Sequence, residues 1–149
     1  MLQDAAVKST DRVLEIGTGS GYMAALLAAH AAQVVTVEIM PELAEAAAER
    51  LKRHDIGNVI VSTGDGSAGW PAQAPYDAIL VSGALTSLPQ QLLDQLKIGG
   101  RMLAFVGEAP LMEAQLITRT GEKSFQTEGL FETQVPALIG AQQASRFNF

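Results

Sequence analysis

Short runs rich in β-branched residues alternate with longer runs of Ala, Leu and Glu along most of the chain. The short runs predict five strands, at 12–16, 33–38, 59–61, 76–82 and 101–106. The longer runs predict helices over 22–32, 42–54 and 88–96. Strands that alternate with helices indicate right-handed crossovers and a mainly parallel sheet with helices on both faces.

The pattern changes after Pro110, where 112–119 and 125–133 predict two strands joined by a turn near Gly121. The predicted fold class is therefore α/β: a doubly wound, mainly parallel sheet with helices on both faces and an antiparallel hairpin at one edge. We expect one domain over residues 1–140. The last residues, 141–149, show no periodicity and are expected to form a C-terminal tail.

Composition narrows the class of protein. Hydrophobic residues make up 48% of the 149 positions and charged residues 17%, which does not suit a disordered chain. The net charge is −6 without any run of Lys or Arg, so we expect no nucleic-acid partner. No apolar stretch reaches the roughly 18 residues of a membrane span, and the N-terminus lacks a signal-peptide layout. We expect a cytoplasmic protein without membrane attachment.

Few residues of the kinds that ligate metals or act as nucleophiles are present. The chain has no cysteine, which excludes disulfides and Cys-ligated zinc, and its two histidines both fall at predicted helix ends. No spacing of acidic residues is typical of a metal site, so none is expected. Trp70 is compatible with two interpretations, a wall of a ligand pocket or ordinary loop packing.

The most informative stretch is a glycine-rich loop that follows the first strand, Val13-Leu-Glu-Ile-Gly-Thr-Gly-Ser-Gly-Tyr22. Ligands of open parallel sheets bind at the carboxyl ends of the strands, where the strand order reverses. Glycine lets the backbone approach a ligand closely, and unpaired N–H groups of the loop and helix start can face it. The loop is therefore a candidate ligand cradle.

The residues around this loop select among nucleotide-type ligands. A dinucleotide fingerprint needs a third glycine where Tyr22 stands, and a phosphate-binding P-loop needs a lysine that the loop lacks. Glu15, just before the glycines, suits an amino group, and Glu38 at the second strand end suits ribose hydroxyls. Asp65, between two glycines, can accept the exocyclic amine of adenine. An amine, a ribose and an adenine together describe S-adenosylmethionine.

Five segments, in this order, resemble the protein-L-isoaspartate O-methyltransferases, a family of class I S-adenosylmethionine-dependent methyltransferases that act in protein repair. The resemblance covers about 10–140 and implies a Rossmann-like methyltransferase fold. The segments are Glu15-Ile-Gly-Thr-Gly-Ser-Gly-Tyr22, Val37-Glu-Ile-Met-Pro-Glu-Leu43, Gly64-Asp-Gly-Ser67, Pro75-Tyr-Asp-Ala-Ile-Leu-Val-Ser82 and Leu96-Lys-Ile-Gly-Gly-Arg-Met102.

The resemblance implies a set of cofactor-binding residues but no catalytic side chain. Glu15 and the glycine loop would hold the methionine part, Glu38 the ribose, and Asp65 with Gly66 the adenine. The segment that starts at Ser82 resembles one that lines the family's reaction cleft. The residues implied are Glu15, Gly17, Thr18, Gly19, Ser20, Gly21, Glu38, Ile39, Asp65, Gly66 and Ser82.

The family also carries a Thr-Ile-Ser-Gln-Pro-type segment before the first strand, and this sequence has no counterpart to it. The resemblance thus implies a chain without the family's N-terminal region. We expect it to bind S-adenosylmethionine and its product S-adenosylhomocysteine, but to methylate isoaspartyl peptides poorly. Three alternatives stay open: a class I methyltransferase with another acceptor, a cofactor-binding domain without turnover, and a nicotinamide oxidoreductase. The residues do not indicate an oligomeric state.

Overall fold

Seven strands, four α-helices and one 3₁₀-helix (Pro71–Gln73) make up the regular structure of the residues that this computed structural model describes, 2–108 and 110–138. The strands are β1 (Arg12–Ile16), β2 (Gln33–Glu38), β3 (Val59–Thr63), β4 (Tyr76–Leu85), β5 (Leu96–Glu108), β6 (Leu111–Arg119) and β7 (Phe125–Thr133). The helices are α1 (Leu2–Ala5), α2 (Tyr22–Ala28), α3 (Pro41–Arg53) and α4 (Gln90–Leu93). The predicted tail 141–149 lies outside the described residues.

All seven strands form one sheet in the order β3-β2-β1-β4-β5-β6-β7. The pairs among β1 to β5 are parallel, whereas β5, β6 and β7 are antiparallel neighbours. The doubly wound, mainly parallel sheet with an antiparallel hairpin at its edge is therefore confirmed. Because β2 and β4 lie on opposite sides of β1, the strand order reverses there, and a crevice opens beyond the strand ends.

The side chains of β1 alternate between the two faces of the sheet, and each face has its own core. Val13 packs with Ala24 and Leu27 of α2. Leu14 and Ile16 belong to the opposite core, which includes Leu92 of α4 and the loop residue Trp70. Burial on both faces explains why the central strands are almost continuously apolar.

The predicted amphipathic helix is confirmed as α3. Its buried residues, Ala44, Ala47 and Leu51, recur at helical spacing. The acidic residues of the same helix are exposed, namely Glu42, Glu45 and Glu49. Within the described part of the chain, no helix has both the length and the hydrophobicity needed to cross a bilayer.

The predicted bounds differ from the observed ones most clearly in three elements. The helix expected over 22–32 ends at Ala28, because the Asp11 carbonyl accepts the N–H groups of Ala32 and Gln33 and turns the chain into β2. The helix expected over 88–96 is the single turn of α4. The strand expected over 101–106 begins earlier, at Leu96, because Gly99 and Gly100 form a bulge inside β5, where pairing with β4 shifts register.

Candidate functional site

A cleft of about 230 Å³ opens at the carboxyl ends of β1, β2 and β4, where the strand order reverses. The glycine loop, the end of β2, the loop after β3 and the end of β4 surround it. Its lining residues are Ile16, Gly17, Gly19, Val37, Glu38, Ile39, Leu43, Gly64, Gly66, Ser82, Gly83, Pro136, Ala137 and Leu138. The cleft therefore lies where the sequence predicts a ligand.

Glu38 is the acidic side chain among the cleft-lining residues, and backbone groups hold it in place. The N–H of Gly19 donates to its Oε1 at 2.9 Å, and the N–H of Met40 donates to its Oε2 at 3.1 Å. Gly19 has a φ of +53°, a conformation that glycine adopts at little cost. The carboxylate thus joins the glycine loop to the end of β2 and keeps lone pairs free for a ligand.

Glu15 lies behind the cleft, with its side chain 1% exposed. The hydroxyl of Thr36 donates to Glu15 Oε1 at 2.7 Å, and the hydroxyls of Thr18 and Thr36 are 2.7 Å apart. Glu15 Oε2 is buried without a hydrogen-bond partner. Burial is the main reason that the pKa of Glu15 is raised from 4.5 to about 7. The hydrogen bond from Thr36 lowers this pKa, and the nearby charge of Glu38 raises it further.

The cofactor-binding residues expected from the sequence fall into two groups. Those that line the cleft are Gly17, Gly19, Glu38, Ile39, Gly66 and Ser82. Those outside the lining are Glu15, Thr18, Ser20, Gly21 and Asp65. Asp65 is exposed, and its Oδ1 accepts the N–H of Ser67 at 2.9 Å. The Ser20 carbonyl accepts a hydrogen bond from Arg50 at 3.1 Å, which ties the outer part of the loop to α3.

Trp70 packs in the loop after β3 and does not belong to the cleft lining. The backbone N–H of Trp70 donates to Gln95 Oε1 at 2.7 Å. Its ring lies against Gly64, where an added Cβ would come within 2.8 Å of two ring atoms. Of the two interpretations of Trp70, the structure favours loop packing, which in turn positions the cleft residue Gly64.

Sequence reasoning missed the segment 136–138, which forms one side of the cleft. Ala84 of β4 holds this segment, donating its N–H to the Pro136 carbonyl and accepting the Leu138 N–H, both at 2.9 Å. An added Cβ on Gly83 would lie 2.7 Å from the Leu138 Cα, so the close approach requires glycine. The apolar residues after the last strand were a signal, but only the fold brings them to β4.

Leu43 was also missed, although its place in the chain offered a clue. It lies on the first turn of α3, directly after the cleft residues Glu38 and Ile39, and is 44% exposed. A large apolar side chain with this exposure beside a buried carboxylate is typical of a ligand site with a polar and an apolar end.

The acidic side chains in and behind the cleft show which kind of ligand fits. Two acidic side chains, Glu15 and Glu38, disfavour a phosphate and favour hydroxyl or ammonium donors. An added Cβ on Gly66 would lie 3.1 Å from the Ile16 Cγ2 and 3.2 Å from the Val37 Cγ1, so glycine lets the loop after β3 pack closely against these two cleft residues. No group of three or more His, Cys, Asp or Glu residues suited to a metal ion occurs among the described residues. These features fit S-adenosylmethionine.

Comparison with known proteins identifies the family. The family model described as protein-L-isoaspartate(D-aspartate) O-methyltransferase matches residues 1–141. A protein-L-isoaspartate O-methyltransferase of Methanoculleus marisnigri is 49% identical over 122 residues, 81% of this chain and 56% of the relative. Protein-L-isoaspartate O-methyltransferase 1 of Geotalea uraniireducens is 43% identical over 142 residues, 95% of this chain and 65% of the relative. The chain thus spans less than two thirds of either relative.

Solved structures agree in fold. A protein-L-isoaspartate O-methyltransferase superposes with a TM-score of 0.84 at 30% identity, covering 91% of this chain and 44% of the other. A Plasmodium falciparum protein, described as a putative protein-L-isoaspartate O-methyltransferase, was solved in complex with S-adenosyl-L-homocysteine. It superposes with a TM-score of 0.76 at 20% identity, and the match covers 92% of this chain and 69% of the other chain. By sequence and by fold, this chain belongs to the protein-L-isoaspartate O-methyltransferase family.

Proposed function

We propose that this protein is an S-adenosylmethionine-dependent methyltransferase that transfers a methyl group to the carboxylate of isoaspartyl residues in proteins or peptides. The product of the cofactor is S-adenosylhomocysteine. The observation that carries the proposal is Glu38, fixed by two backbone N–H groups in the cleft where the strand order reverses, in a chain of this family. As the sequence predicts, we expect the activity in the cytoplasm.

Each part of the cofactor has a matching part of the cleft. Glu38 presents free lone pairs to the two ribose hydroxyls. Ile39 and Leu43 offer apolar surface to the adenine, and Gly66 lines the same cleft. The sequence assigns the adenine amine to Asp65, and its exposed position after Gly64 is compatible with that role. Glu15, behind the glycine loop, favours the ammonium of the methionine part.

The proposed reaction needs little acid–base chemistry from the protein. The cofactor supplies an electrophilic methyl group on a sulfonium. A side-chain carboxylate has an ordinary pKa of about 4, so the acceptor is already ionised at neutral pH and no general base is required. The protein then acts by holding the acceptor in line and excluding water, and positioning alone can contribute roughly 7–11 kcal/mol. Ser82, Gly83 and Leu138, on the β4 side of the cleft, are placed to do this.

Binding is tested by thermal unfolding with S-adenosylhomocysteine. A ligand that binds only the native state stabilises it by about 2.7 kcal/mol at 100 times its Kd, so we expect Tm to rise by several degrees. NAD at the same concentration serves as the control and should give no comparable shift. An unchanged Tm at millimolar S-adenosylhomocysteine contradicts the cofactor assignment.

Turnover is tested with matched peptides and a labelled methyl donor. We expect label to reach a peptide that contains an isoaspartyl residue, at a low rate, and not the same peptide with an ordinary aspartyl residue. Cofactor binding together with label transfer to neither peptide points to a different acceptor or to a binding domain. Transfer to both peptides shows that the β4 side of the cleft does not distinguish the two backbones.

A further inference from the structure

The buried carboxyl group of Glu15 is assigned to the ammonium of the cofactor, but this role does not by itself explain its unpaired oxygen. In a strand, residues two apart lie on the same face of the sheet. Val13 packs under α2, so Glu15 lies on that face too, behind the glycine loop. One oxygen, Oε1, accepts the Thr36 hydroxyl, and the other, Oε2, is buried without a partner. An ionised carboxylate left half unpaired in such a place costs more than the neutral acid does.

A chain of hydroxyl groups connects Glu15 to the loop that borders the cleft. When Glu15 is ionised, Thr36 donates its proton to the carboxylate, and Thr18 then supplies the proton of the bond between Thr18 and Thr36. Thr18 lies between Gly17 and Gly19, which both line the cleft. A change in the charge of Glu15 is therefore transmitted to the loop through two hydrogen bonds.

The charges around Glu15 favour its neutral form in the free protein. From β2 it faces Thr36 and the carboxylate of Glu38, and from β4 it pairs with apolar Leu80. The helix α2 carries no charged residue. From α3, Arg50 contacts the Ser20 carbonyl, and the acidic side chains of that helix are exposed. Among the described residues, neither Glu15 nor Glu38 forms an ion pair with Lys, Arg or His.

We propose that Glu15 couples ligand binding to proton release: at slightly acidic pH it is neutral in the free protein, and it loses its proton to solvent when a ligand brings an ammonium group to the glycine loop. The ammonium then supplies the positive charge that the carboxylate lacks in the free state. This inference rests on the proposed function, since S-adenosylmethionine and S-adenosylhomocysteine both carry such a group. By reciprocity, protons weaken ligand binding to the same extent that the ligand expels them.

Calorimetric titration with S-adenosylhomocysteine measures the released protons directly. The titration is run in two buffers of different ionisation enthalpy, from about pH 6 to about pH 8, across the range in which burial places the pKa of Glu15. Glu15→Gln serves as the comparison, because it keeps the shape of the neutral acid and cannot release a proton. Any ionisation of the ligand itself cancels in the difference between the two proteins.

We expect the wild-type protein to release up to about one proton more than Glu15→Gln at about pH 6, and the difference to vanish at about pH 8. The wild-type affinity should rise roughly tenfold over that interval, while the affinity of Glu15→Gln changes little. Equal proton release by the two proteins, both binding the ligand, overturns the inference and leaves the proposed function intact. Absence of binding by the wild-type protein at every pH overturns both.

A second variant keeps the titrating group and changes only its partner. Thr36→Val removes the hydrogen bond that lowers the pKa of Glu15, so proton release should extend to higher pH than in the wild-type protein. Thr127→Val, on the exposed edge strand β7, is the matched control and should leave the profile unchanged. A profile of Thr36→Val identical to the wild-type profile contradicts the assignment of the released proton to Glu15.

Discussion

The two walls of the cleft are held together by different forces. The first wall consists of the end of β2, the first turn of α3 and the loops after β1, β2 and β3. Backbone N–H groups hold its parts together: the Glu38 carboxylate accepts two of them, and the Glu38 carbonyl accepts the N–H of Gly64. The second wall consists of Ser82 and Gly83 of β4 with the segment 136–138. Two hydrogen bonds of Ala84 and close packing against Gly83 hold that segment.

We infer that this difference separates cofactor binding from methyl transfer. The first wall presents fixed polar groups, which suits recognition of a polar cofactor before any acceptor arrives. The second wall offers shape and apolar surface, which suits holding an acceptor chain in line. Substitutions in the first wall should therefore reduce affinity for the cofactor, whereas substitutions in the second wall should reduce turnover at nearly constant affinity.

The largest effect is expected for Glu38→Gln. The amide has one oxygen where the carboxylate has two, so it cannot accept both N–H groups and also both ribose hydroxyls. Each lost charge-assisted hydrogen bond costs roughly 1.5–3 kcal/mol. We expect affinity for S-adenosylhomocysteine, measured by calorimetry, to fall about 100-fold or more.

The control for this substitution is Glu128→Gln on β7, which changes the net charge equally at an exposed site. Its affinity for S-adenosylhomocysteine should equal that of the wild-type protein. A fall of less than twofold for Glu38→Gln would remove Glu38 from the ribose site and with it the main support for the first wall.

The next effect concerns Glu15, behind the first wall, and the pH dependence that it gives to the free energy of unfolding. Because folding raises the pKa of Glu15 from 4.5 to about 7, its favourable contribution is fully present below pH 4.5 and is lost as pH rises through about 7. The loss amounts to about 3 kcal/mol when complete. Denaturant unfolding at several pH values should show the wild-type protein losing stability relative to Glu15→Gln over this range. A constant difference between the two proteins contradicts the raised pKa.

A change in the second wall should spare the cofactor. In Gly83→Ala the new methyl group would lie 2.7 Å from the Leu138 Cα, so the segment 136–138 must move outward. A displacement of about 1 Å can cost 10²-fold in rate. We expect turnover on the isoaspartyl peptide to fall by about that factor, with affinity for S-adenosylhomocysteine changed less than threefold.

Gly57→Ala is the matched control, because an added Cβ at Gly57 meets nothing within 4 Å and its φ is not positive. Its turnover and affinity should both remain at the wild-type level. If Gly83→Ala loses affinity as severely as turnover, the two walls do not act separately.

The smallest effect is expected at the apolar end of the first wall. Leu43→Ala removes apolar surface that is 44% exposed in the free protein. Burying such surface contributes about 25 cal/mol per Å², so affinity for S-adenosylhomocysteine should fall only several-fold. Leu111→Ala, at an exposed leucine of β6 outside the cleft, should leave affinity unchanged. A loss at Leu111 equal to that at Leu43 would show that general destabilisation is being measured.

The sequence predicts the first wall far better than the second. β1 and β2 have the predicted bounds because their β-branched runs end at glycine or at an acidic residue. Glu38 and the glycine loop follow directly from their places at these strand ends. Local patterns predict such features, because the carboxyl ends of neighbouring parallel strands meet at one edge of the sheet.

The remaining features depend on contacts between residues distant in sequence. The close approach of Leu138 to Gly83 joins residues on either side of the hairpin, which no local pattern reveals. The end of α2 at Ala28 depends on the Asp11 carbonyl, which precedes β1. The burial of Glu15 depends on the loop, β2 and β4 together, so its raised pKa was not predictable from its position in the motif.

The most direct test of the account is to map the ligand on the protein by amide NMR. On addition of S-adenosylhomocysteine, we predict that the largest chemical-shift changes fall on the first wall, at Gly17, Gly19, Ile39 and Gly66, with smaller changes at Ser82. The amides of β7 should not move. Changes centred on another surface, such as the crevice between α3 and β3 that Leu51 and Val61 border, would contradict the claim that this cleft holds the cofactor.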